Sequence, residues 1–84
     1  MPVLSRFYGI IIRMYFQQSE HNPPHIHALY GEDMAAIDIQ NREILEGHLP
    51  PKALSMVREW VGIHQKALLR IWETQEFTPL SPLE

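Results

Sequence analysis

The stretch Gly9-Ile10-Ile11-Ile12-Arg13-Met14-Tyr15-Phe16 decides the fold of this chain. Side chains on a β-strand alternate between two faces. Ile10, Ile12, Met14 and Phe16 therefore share one face, and Ile11, Arg13 and Tyr15 the other. The first face is apolar throughout. The second mixes an aliphatic chain, a guanidinium and a phenol. That asymmetry predicts a half-buried strand of an antiparallel sheet.

Working outward, residues 17–24 read as a loop that ends on the pair Pro23-Pro24. A second strand covers 25–30, with Ile26, Ala28 and Tyr30 facing in. Gly31-Glu32-Asp33 is a reversal of hairpin length. A third strand follows at 35–39, with Ala35, Ile37 and Ile39 in and Ala36 and Asp38 out. Gln40-Asn41-Arg42 turns the chain, and a short strand at 43–46 is closed by Gly47. Upstream, residues 1–8 read as an N-terminal arm or a short edge strand. Pro2 lacks an N–H and fits only a sheet margin.

Leu49-Pro50-Pro51 opens a helix, because proline is well placed in a first turn. Periodicity near 3.6 then places Leu54, Val57, Trp60, Val61, Ala67, Leu68, Ile71 and Trp72 on one side. Ser55, Glu59, Lys66, Arg70 and Glu73 lie opposite. Unbroken, the periodic stretch from Ala53 to about Thr74 would run about 33 Å, longer than strands of about 20–24 Å, so the helix over 50–75 overhangs the sheet. Gly62 marks a slight bend. Met56 and Ile63 widen the apolar arc beyond one contact surface. Two coverings are open: a second apolar partner, or the tail 76–84 folding back through Phe77, Leu80 and Leu83. His64 falls inside the arc and reads as a core histidine bonded to a carbonyl or a tyrosine. His48 reads as loop. The expected fold is α+β: a three- to four-stranded antiparallel meander, then one long C-terminal amphipathic helix on one face, as a single domain over 1–84.

Composition narrows the function classes. The chain has 84 residues and no cysteine, which excludes disulfides, a thiol nucleophile and thiolate zinc sites. A small domain without cysteine suits a reducing, cytoplasmic setting. The apolar run from Phe7 to Ile12 is too short for a signal-peptide core or a membrane span. A net charge of −3 supplies no global field toward nucleic acid. No G-x-S-x-G, glycine-rich phosphate loop or Walker lysine occurs.

The chemically loaded stretch is Glu20-His21-Asn22-Pro23-Pro24-His25-Ile26-His27. His25 and His27, two apart on a strand, point to the face away from the helix. In meander order that face also collects Arg13, Tyr15 and Asp38. Three readings are open. In the first, His21 and Asn22 cap a turn and the other rings bond locally. In the second, His21, His25 and His27 offer three nitrogens to a divalent metal such as zinc, with Asp38 or Glu20 as a fourth ligand. In the third, His25 and His27 act as general base and acid while Arg13 holds a phosphate and Tyr15 supports them. That set suits RNA cleavage through the 2′-hydroxyl.

The segments Arg6-Phe7-Tyr8-Gly9-Ile10, Met14-Tyr15-Phe16, His21-Asn22-Pro23-Pro24-His25-Ile26-His27-Ala28, Tyr30-Gly31-Glu32, Ile44-Leu45-Glu46-Gly47 and Leu49-Pro50, with Trp60, His64 and Trp72, carry a resemblance. The chain resembles the small bacterial proteins grouped as domain of unknown function 4160. It departs from their commonest pattern at Ser19-Glu20 and at Leu29. The resemblance implies a toxin–antitoxin-type setting, a small neighbour-encoded protein partner or a homo-oligomer, and a ribonuclease-like role.

Overall fold

The structure, a computed structural model, describes residues 3–15 and 23–84. Five strands form one antiparallel sheet in simple meander order: β1 (Val3–Phe7), β2 (Ile10–Arg13), β3 (His25–Tyr30), β4 (Asp33–Asp38) and β5 (Ile44–Gly47). Two helices follow, α1 (Pro51–Ile63) and α2 (Gln65–Thr74). The α+β class and the meander stand as expected. The counts of strands and helices do not.

The extra strand is β1, the edge-strand alternative for the first residues. A register shift between Val3 and Ser5 disrupts the ladder with β2. Leu4, Ser5 and Phe7 are all buried, so the period of two that marks a strand is broken within five residues. Its pairing with β2 is what makes it a strand. Tyr8-Gly9 closes this hairpin as a two-residue turn with both φ values positive.

The single long helix is corrected to two, and the break falls at His64 rather than at Gly62. His64 leaves the helical region (φ −104°, ψ 17°). Two side-chain anchors meet there. The Gln65 amide donates to the carbonyls of Ile39 and Gln40, each at 2.9 Å, tying α2 to the end of β4. His64 Nε2 lies 2.9 Å from the Ser81 carbonyl oxygen, drawn toward the tail. Side chains captured by neighbouring segments account for a change of direction without proline.

The core lies between the helices and one sheet face. Ile10, Ile12, Met14, Ile26, Ala28 and Ile37 meet Val57, Trp60, Val61, Leu68 and Ile71, all buried. Phe16, expected on this inner face, lies outside the described residues. Trp60 packs on Phe7 with ring centroids 5.8 Å apart. Tyr30 departs from expectation: it ends β3 and stays 39 % exposed. Ile39 is buried just past β4, its N–H bonded to the Pro24 carbonyl.

The covering of the wide helical arc is also decided. The tail returns over part of it: Phe77, Leu80 and Leu83 pack on the core, while Ile63 stays 64 % exposed. Leu80 N–H donates to the Leu4 carbonyl at 2.7 Å, and the Trp60 indole N–H to that of Ser81 at 2.8 Å. Among the described residues, no helix is long and apolar enough to cross a membrane.

Candidate functional site

Antiparallel pairing places directly opposed residues on the same face. The ladder therefore aligns Arg13 (β2), His27 (β3), Ala36 (β4) and Glu46 (β5) in one row across the sheet. Alternation fixes the face: Ile12, Ile26 and Ala28 point into the core, so this row points away from the helices. A parallel row holds Arg6, Ile11, Leu29 and Met34. His25 stands opposite Asp38 at the near end.

The expected gathering of imidazoles is present. His25 and His27 have ring centroids 5.1 Å apart. Tyr15 meets His27 edge-on at 4.4 Å, and Arg13 is its register partner. His25 Nδ1 lies 2.9 Å from the Pro23 carbonyl oxygen, which fixes its ring. Arg13 Nε and His27 Nδ1 are buried with no hydrogen-bond partner among the described residues.

Two members of the site were not foreseen. Trp72, read only as core, reaches the ring of His25 at 5.0 Å. The expected overhang of the helix and the place of Trp72 among the residues of the resemblance were the available signals. Glu46 joins because β5 pairs with β4 through a register shift between Ala36 and Ile37, so Leu45 is the extra residue of a bulge. Ala36 is the small member of the row. Above it lies a depression of about 210 Å³ lined by Pro23, His25, His27, Ala36, Leu45 and Glu46.

The electrostatics centre on His27. Its pKa lies below the usual 6.5, first because burial disfavours the charged ring and then because of nearby His25, with Glu46 opposing. Burial outweighs the carboxylate, so His27 is held neutral at neutral pH.

The proposed metal set is only partly within view. His21 and Glu20 lie outside the described residues. The carboxylate of Asp38 turns to its own loop instead: Oδ1 accepts from the N–H groups of Gln40 at 2.7 Å and Asn41 at 3.1 Å. It caps the β4–β5 turn, as aspartate does in an Asx-turn. Among the described residues no group of three or more His, Asp or Glu side chains is placed to hold a metal ion. His64 bonds a backbone carbonyl and its ring lies tilted against Trp60 at 4.9 Å, away from this face.

Residues 9–73 match the family described as domain of unknown function (DUF4160). The chain belongs to the DUF4160 family. No curated protein and no solved structure matches it. The DUF4160 match spans β2 through nearly all of α2, and so includes both histidines, the Ala36 depression and Glu46.

Proposed function

We propose that this DUF4160 chain is a protein-binding module whose interface is the open face of its sheet. One observation carries the reading. The helices cover one face, while the other presents the apolar row Ile11, Leu29 and Met34 beside the charged row from Arg13 to Glu46. Met34 and Leu45 are 44 % and 45 % exposed. Contiguous exposed apolar groups rimmed by charge are the signature of an interaction surface. Of the two coverings open for the helical arc, the chain's own tail packs over part of it, which directs the pairing reading to the sheet. The partner class is a second copy or the small neighbour-encoded protein of a toxin–antitoxin-type pair.

The test is co-expression of the chain with each partner class, beside a Leu29→Glu variant. Leu29 is only half-buried, so the variant keeps its circular dichroism spectrum and melts cooperatively while association is lost. A wild type that binds neither partner, or a folded Leu29→Glu chain that binds as well as wild type, refutes the interface.

A second reading rests on the 5.1 Å separation of His25 and His27 beside Arg13. In it the face is a ribonuclease-like site. Neutral His27 takes the proton of an RNA 2′-hydroxyl, whose oxygen attacks the adjacent phosphorus. Arg13 binds the phosphoryl oxygens, and protonated His25 gives its proton to the departing 5′-oxygen. Tyr15 orients the His27 ring. The products are a 2′,3′-cyclic phosphate and a 5′-hydroxyl. Incubation with structured RNA tests it: cleavage should disappear in His25→Ala and His27→Ala, and equal cleavage by all three chains removes the assignment.

A further inference from the structure

The open face is complementary to itself. Take a line along the strands midway between β3 and β4. On one side of it, the first row carries His27 and then Arg13. On the other it carries Ala36 and then Glu46. A two-fold rotation about that line, lying in the plane of contact, preserves position along the strands and exchanges the two sides. It sets β3 over β4 of the second copy, and β2 over β5.

Each pairing this generates is favourable. Arg13 comes over Glu46, joining opposite charges at both ends of the row. His27 comes over Ala36, a ring above the smallest side chain in the row, where the depression of about 210 Å³ lies. In the second row Leu29 comes over Met34, apolar against apolar, and Ile11 lies toward the exposed edge beside β5. Two sheets packed this way lie about 10 Å apart, aligned within about 30°. The contact is isologous, so it closes at two copies and leaves no free patch for a third.

We infer that the open sheet face takes a second copy of this chain, related by a two-fold axis running between β3 and β4, with Arg13 of each copy paired to Glu46 of the other. This rests on the interface reading above and specifies its occupant. The charges at the rim set the register, and Leu29, Met34 and Leu45 supply the apolar contact.

The experiment uses two full-length single variants, Arg13→Glu and Glu46→Arg, in sedimentation equilibrium. Wild type should show a monomer–dimer equilibrium. In each variant alone two attractive pairs become two repulsive ones, and self-association should weaken by about tenfold or more. Mixed together, the variants should form a heterodimer. One chain then carries a carboxylate at both positions and the other a guanidinium at both, so opposite charges meet at each end of the row. The double variant Arg13→Glu/Glu46→Arg should also recover. Recovery on mixing is a readout that misfolding does not produce. Wild type that stays monomeric up to about 1 mM, or variants that recover neither on mixing nor in combination, overturns the self-pairing. Loss of self-pairing with retained, Leu29-dependent binding of the neighbour-encoded protein overturns this occupant and leaves the interface reading standing.

Discussion

Replacing Gly47 with alanine should unseat β5, and the cost can be worked from the backbone. Gly47 has φ +85°, in the left-handed region. An added Cβ there would lie 2.2 Å from the Met34 carbonyl oxygen and 3.0 Å from Ala35 Cα. Both are backbone atoms of β4, so no side chain can swing aside. The conformation alone costs an L-residue about 1–2 kcal/mol. Relieving the clash means moving β5 off β4, which gives up the His48 N–H bond to Met34 at 3.0 Å and a ladder bond at the next hydrogen-bonded pair, Ala36 with Glu46. At about 1 kcal/mol for each bond lost, that adds about 2 kcal/mol.

Gly31 is the internal control. Its φ is +60°, yet a Cβ there meets nothing within 4 Å. Gly31→Ala should therefore cost only the conformational part, about 1–2 kcal/mol, against about 3–4 kcal/mol for Gly47→Ala. At about 4–8 °C per kcal/mol for a domain of this size, the two melting temperatures should differ by about 8–16 °C. Thermal denaturation followed by circular dichroism measures this. Amide exchange at Glu46 reports whether the extra loss is local to β5. Two variants melting within about 3 °C of each other would show that the Gly47 contact with β4 does not hold the strand.

Two further outcomes follow from the same contacts. The pKa of His27 is lowered in the folded chain, so the unfolded chain binds that proton more readily; the stabilisation is complete above the unfolded value of 6.5 and is lost as pH falls through the folded one. His27→Gln should accordingly show a smaller fall in Tm than wild type between about pH 7.5 and about pH 5.5, and an unchanged fall would place the titration elsewhere. Trp60→Phe removes the indole N–H that donates to Ser81 while keeping most of the apolar volume; it should cost about 1 kcal/mol and speed exchange of the Leu80 amide, and unaltered Leu80 protection would mean that the indole does not hold the tail.

Much of the site was legible because period-two alternation depends only on neighbouring residues. Ile12 and Ile26 had to be buried once their strands paired, and that alone turned Arg13, His25 and His27 to the opposite face. The helical stripe from Val57 to Trp72 was legible for the same local reason, at a period of 3.6. Asp38 was placed on the correct strand face, but its carboxylate spends its lone pairs on the turn that follows. The bulge at Leu45 hid Glu46, since a one-residue slip changes which side chains share a row.

The sequence by itself determined the elements whose burial follows a regular period: β2, β3, β4, the helical stripe and the common face of the two imidazoles. Only the tertiary structure decided β1, the break at His64, the contact of Trp72 with His25, and the choice of the tail over a partner as cover for the helices. The physical reason is range. Periodicity is written along the chain, whereas register, capture of a side chain by a distant carbonyl and the return of an extended tail depend on what lies next to each segment in space.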